Sequence, residues 1–244
     1  MKSLIVIFFI SALLPLKMNC QTSISYVQQA QPKGMFKLMP GSHAKTTVFY
    51  QDGKLRYTTD ALGYEQTYII DKDSVKLESN YTGKDYCGQG TIEEYHNDYN
   101  KDLPGKAVYG DVSMEKTSET KMIFKYNCNR VIIKYTTLKL NGEKRENEYY
   151  GWYTSEIKAE PIYKLLAVLF PENAEYWNAF VELEGFIIET ESYNGDKLAF
   201  VTQTQNLNFK NVKPEDLNFQ LTCRKKKTMK KLSDDMNGIR NRRY

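Results

Sequence analysis

Two strand-like runs, Lys45 to Gln51 and Lys54 to Thr59, are separated only by Asp52-Gly53. A two-residue link of this composition accepts the positive backbone angles of a tight turn, so the runs fold back on one another as an antiparallel hairpin. Leu55 and Tyr57 alternate with Lys54, Arg56 and Thr58, which turns one face to a core and the other to water. The arrangement recurs along the chain. Tyr64 to Ile70 and Ser74 to Ser79 flank Asp71-Lys72-Asp73, and Leu183 to Ser192 and Lys197 to Gln205 flank Asn194-Gly195-Asp196. Further strand character lies at Thr22 to Gln28, Ala107 to Met114, Lys121 to Tyr126, Arg130 to Leu138, Glu148 to Thr154 after the turn Asn141-Gly142, and Asn218 to Thr222. Strands in hairpin order make an antiparallel sheet, and a sheet of about ten or more strands curls. With 19 Tyr and 11 Phe, the composition favours pleated, half-buried surface over helix.

One segment breaks the pattern. Over Ala159 to Leu169 the residues Ile162, Leu165, Leu166 and Leu169 fall on one helical face, with Glu160 and Pro161 in the first turn. Pro171 stops this helix, and Glu172 to Phe180 forms a second, short one bearing Trp177. The fold class expected is therefore mainly β (α+β): a curved antiparallel sheet or open half-barrel with a helical insertion near residues 159–180. Its concave side has to be covered by the helix, a partner or a ligand. Residues 80–106 are polar and glycine-bearing and read as a long loop or decorated hairpin.

The two ends differ from the middle. A basic residue, the apolar run Leu4 to Leu14 and a polar end match a secretory signal over residues 1–20, too short to span a bilayer. Periplasmic or secreted export follows. Attachment of an outer-membrane lipid at Cys20 is disfavoured, because Lys17, Met18 and Asn19 are not the apolar and small residues that such a signal uses. The mature chain then keeps Cys87, Cys128 and Cys223, enough for one disulfide and one thiol, with the pairing open. Arg224 to Tyr244 holds nine basic and two acidic residues, net +7; with Lys2 and Lys17 this exceeds the whole-chain +4, so residues 21–223 carry −5. The organisation expected is a single β-rich domain over 21–223 and a basic tail over 224–244.

Within the domain, Glu119-Thr120-Lys121, Ile123, Tyr126-Asn127-Cys128, Trp152 to Ile157 (WYTSEI) and Leu183 to Glu189 (LEGFIIE) resemble the sequential motifs of the GLPGLI family, secreted proteins common in Bacteroidetes. The family's name motif stands here as LEGFI. The resemblance implies no established activity and carries over no catalytic residue. By analogy it implies likeness to the curved-sheet carriers of lipids and lipoproteins in the bacterial envelope, where a half-barrel wraps an apolar cavity.

The residues themselves show no GxSxG elbow, HExxH helix or glycine-rich phosphate loop, so no enzyme, cofactor or catalytic residue is assigned, although hydrolysis by scattered carboxylates is left open. His96 among Glu93, Glu94 and Asp98 has metal-ligating chemistry, but acidic loops of this kind are ordinarily solvated, and no metal is assigned. Aromatic residues are the stronger signal: Tyr149, Tyr150, Trp152, Tyr153, Tyr163, Tyr176, Trp177 and Phe180 either pack a core or line a cavity. The leading expectation is a non-enzymatic envelope protein binding an apolar or lipid-like ligand, with Trp152, Tyr153, Leu165, Leu166, Leu169 and Phe186 lining the cavity. The alternative is an envelope assembly or scaffold protein acting through protein contacts, with no cavity. The basic tail suits an anionic membrane surface, and export argues against nucleic acid as a partner.

Overall fold

In a computed structural model, residues 23–38, 43–61, 64–81, 83–100, 108–138, 143–194, 196–218 and 227–240 are described. The signal with Cys20, the turn Asn141-Gly142, Cys223 and most of the strand expected after Asn218 lie outside them. Six strands come first: β1 (Ser23–Pro32), β2 (Lys45–Gln51), β3 (Lys54–Ala61), β4 (Tyr64–Asp71), β5 (Ser74–Tyr81) and β6 (Lys84–Thr91). After the short helix α1 (Ile92–Glu94) and a π-helical turn (Tyr95–Asn100) come β7 (Val108–Ile123), β8 (Tyr126–Leu138) and β9 (Lys144–Thr154). Helices α2 (Glu160–Leu169) and α3 (Ala174–Glu182) precede β10 (Phe186–Asn194) and β11 (Lys197–Asn208), and α4 (Pro214–Leu217) and α5 (Met229–Arg240) end the described chain.

All eleven strands form one antiparallel sheet in the order β6-β5-β4-β3-β2-β1-β11-β10-β9-β8-β7. Every pairing joins strands consecutive in the chain except β1 with β11, and the connection between β9 and β10 carries α2 and α3. The sheet is open but strongly curled. Between β3 and β7 lie seven strand spacings, about 34 Å if flat. Yet Phe170, at the end of α2, packs on Tyr57 and Tyr68 of β3 and β4, while Tyr176 of α3 packs on Tyr109 of β7 at 5.0 Å. A two-helix insertion reaches both only because the sheet wraps around it as a half-barrel.

Cross-strand partners share a face, and the register shows what faces inward. One row runs Tyr26, Val48, Tyr57, Tyr68, Leu77 and Gly88, and the next Ile24, Tyr50, Leu55, Ile70, Val75 and Gly90. Beside α2, whose residues Ile162, Tyr163, Leu166 and Leu169 are buried, these rows make the core.

Two of the stretches that differ from the sequence reading meet at the β6 edge of the sheet. Residues 84–91, expected within a long loop or a decorated hairpin, are the edge strand β6, which forms a hairpin with β5, and Gly88 and Gly90 in it give room to a helix. That helix is α5. Met229 and Leu232 are buried against β6, and Lys227 bonds to its backbone, donating from N to Cys87 O (3.2 Å) and accepting from Gln89 N (3.1 Å). Basic as residues 224–244 are, the part from Lys227 to Ser233 is packed rather than a solvated tail. Cys87 is disulfide-bonded and Cys128 is the free, buried thiol. Among the described residues no helix is long and apolar enough to cross a membrane.

Candidate functional site

Between the inner face of the sheet and helices α2 and α3 lies a cavity of about 500 Å³. The helices are placed there by their own amphipathic patterns and by the connection from β9 to β10, which lets the chain leave the sheet and return one strand over. Its apolar wall is aromatic: Tyr26, Tyr57, Tyr149, Tyr163, Trp177 and Phe180. Tyr163 stacks on Trp177 at 6.4 Å and lies 5.4 Å from Phe180. The same face of the sheet that carries Tyr26 and Tyr57 adds the polar side chains Gln28, Thr46, Thr190 and Thr202, and Arg145, Glu146 and Glu148 also line the cavity.

Hydrogen bonds tie several of these side chains to the sheet and to one another. The Ile187 N–H donates to Tyr163 Oη at 3.3 Å, the phenols of Tyr149 and Tyr176 bond to each other, and Gln28 Nε2 donates to Ile187 O at 3.4 Å. The Trp177 Nε1–H is buried and has no acceptor among the described residues. Burial raises the phenol pKa of Tyr149 well above its ordinary value, with Tyr176 adding to the effect. Burial likewise pushes Tyr57 up to about 12, a hydrogen bond with Thr46 opposing it and Tyr109 reinforcing it. The phenols are therefore neutral at physiological pH, fit to exchange hydrogen bonds and present apolar rings rather than to act as bases.

Of the six residues expected to line a cavity, Leu166 does. Leu169 and Phe186 belong to the packed core, where Phe186 meets Tyr26 at 4.9 Å, and Leu165 is half-buried against that core. Tyr153 is buried beside Gly185. Trp152 faces the other way. It pairs with Arg130 and Glu189 on the outer face, whereas its neighbour Gly151 pairs with Val131 and Thr190 on the inner one. There the Lys121 ammonium lies 4.1 Å from the Trp152 ring centre and pairs with Glu189 (2.6 Å) and Glu191 (3.3 Å). The Trp152 indole N–H donates to Glu191 at 3.0 Å, and Arg130 lies 4.2 Å over Tyr150 while pairing with Glu119. Trp152 is thus covered by salt-bridged side chains on the outer surface of the sheet.

Among the other aromatics singled out in the sequence, Tyr149, Tyr163, Tyr176, Trp177 and Phe180 do line the cavity. Tyr26 and Tyr57, from strands far away in sequence, were not singled out; only the register that aligns them across β2 could have found them. His96 is engaged otherwise, its Nε2 lying 2.7 Å from Val168 O, and Glu94 closes a capping box with Thr91.

The fold and cavity define the molecule as an open half-barrel with a helix-covered, aromatic-lined cleft. No family model matches the chain, and no curated protein shows significant similarity to it.

Proposed function

We propose that the protein is an exported, non-enzymatic binding protein that holds an apolar or lipid-like ligand in the half-barrel. The observation that carries this reading is the cavity itself. Its volume of about 500 Å³ falls in the range of small-molecule sites, and six or more aromatic side chains line it. An apolar chain or ring against them would gain about 25 cal/mol per Å² of apolar area removed from water. The polar side chains of Gln28, Thr46, Thr190 and Thr202 suit a ligand with a polar end. Neutral, buried phenols support binding over chemistry. A signal-like N-terminus and a disulfide at Cys87 support an oxidising, exported location.

Native mass spectrometry of protein made with its own signal, followed by denaturation and organic extraction, tests the reading. An added mass that is lost on denaturation, extracts as lipid, and is absent from a Thr190→Phe variant is the expected result. A bare mass, with no apolar dye taken up by the wild type and displaced by fatty acid, overturns it.

A further inference from the structure

The end of the sheet beside the cavity carries a feature the binding reading does not use. After Pro32, the last residue of β1, the chain makes a short 3-10 turn, Gly34–Leu38, in which no residue is buried. Met35 is 77% and Leu38 89% exposed, the two most exposed large apolar side chains among the described residues. They do not dangle. Lys33 N donates to Ala199 O at 2.8 Å, Phe36 N donates to Lys33 O at 3.1 Å, and the Phe36 ring packs on Phe200 at 5.4 Å. Gly34, at φ +55°, supplies the left-handed residue that starts the turn. Anchored through Phe36, the turn presents Met35 and Leu38 to solvent with Lys33 and Lys37 beside them.

Charge and position point the same way. From Ser23 to Gln51 the chain contains Lys33, Lys37 and Lys45 and neither Asp nor Glu. Phe200, which holds the turn, pairs across the strands with Ser192, a residue of the cavity wall. Two apolar side chains flanked by two lysines, at the cavity end of a half-barrel, match a bilayer interface, where apolar groups enter the acyl boundary and lysines stay at anionic head groups.

We propose that the Gly34–Leu38 turn docks this end of the protein on an anionic lipid bilayer, so that an apolar ligand passes between membrane and cavity without crossing water. The ligand route rests on the binding reading above; the docking itself does not.

Flotation with vesicles of phosphatidylglycerol and phosphatidylcholine, against phosphatidylcholine alone, tests it. Wild type is expected to float with the anionic vesicles and to release as salt rises. Met35→Ser/Leu38→Ser lowers vesicle affinity about tenfold or more, and Lys33→Glu/Lys37→Glu about fivefold or more per lysine. None of the four side chains is buried, so both variants keep the wild-type melting temperature and apolar-dye uptake. Lys230→Glu/Lys231→Glu on α5 leaves flotation unchanged, and so does the cavity variant Thr190→Phe. Absence of flotation by wild type, flotation indifferent to the turn variants, or flotation lost instead through Lys230 and Lys231 overturns the docking. Loss of dye uptake by wild type with flotation intact overturns only the cavity reading.

Discussion

Leu232 of α5 rests directly on Gly88 of β6: a Cβ at position 88 would lie 2.7 Å from Leu232 Cδ2. The contact seats the C-terminal helix on an edge strand that would otherwise offer unpaired backbone groups to another chain. Gly88→Ala is expected to cost about 1–3 kcal/mol by overpacking, and Leu232→Ala about 2–5 kcal/mol through the void it leaves. In the double variant the new methyl occupies part of that void, so the loss is smaller than the sum. Urea unfolding of the four proteins in the cycle reads the coupling; strict additivity would show that the two residues do not touch.

Gly185, in the LEGFI stretch, is required for a different reason. A Cβ there would sit 2.7 Å from the backbone oxygen of Thr154 and 3.0 Å from Tyr153 Cδ2, and a backbone oxygen in a strand pairing cannot turn aside. Gly185→Ala is expected to destabilise by about 1–3 kcal/mol. Its neighbour Glu184 holds the left-handed conformation just past α3, at φ 56°. Glu184→Gly removes a cost of about 1 kcal/mol and raises the urea midpoint.

On the outer face, burial acts to raise the Glu191 pKa, but hydrogen bonds from Trp152 and Tyr193 and the Lys121 charge outweigh it and hold the carboxyl below its ordinary value. A carboxyl depressed in the folded state stabilises fully above its unfolded pKa, and that contribution disappears as pH falls through the lower folded value. Glu191→Gln should therefore lower stability at neutral pH and make the acid side of the stability profile less steep. Trp152 fluorescence, followed in a Trp177→Phe background, should change in the same acid window in the parent and stay flat in the variant.

The cavity phenols give the opposite sign at high pH. Tyr57, raised to about 12 chiefly by burial, stays neutral in the folded state after an unfolded tyrosine has begun to ionise. Stability is full below the unfolded value and falls as pH rises through the interval up to the folded one. Absorbance titration should show a late tyrosine class that merges with the rest once the protein unfolds; Tyr57→Phe reduces that class.

Hairpins with strong turn residues were legible in the sequence. Asp52-Gly53 and Asp71-Lys72-Asp73 separate β2 from β3 and β4 from β5 where expected, and α2 begins within a residue of its predicted start. β6 was hidden because its glycines look like loop residues, and their reason, the approach of α5, lies far along the chain. Met229 and Leu232 were hidden in turn among lysines. Residues 107–126, read as two strands, are mostly one: β7 runs continuously to Ile123 through register shifts after Gly110 and Lys116. The face of Trp152 could not be read, since Tyr149, Tyr150, Trp152 and Tyr153 place aromatics on both sides of β9 and erase the alternation. The polar lining of the cavity was illegible for a simpler cause: Gln28, Thr46, Thr190 and Thr202 carry no motif and meet only through pairing.

That β1 lies between β2 and β11 has a kinetic meaning. Gln28 and Thr204 meet across this seam although 176 positions separate them. Among the described strands the first made therefore waits for the last, and until it arrives each half is a meander with a raw inner edge. Closing so long a loop is slow, and the waiting edges are open to the wrong neighbour. The seam, rather than either half, sets when the chain becomes a half-barrel, and a chain cut short of β11 never does.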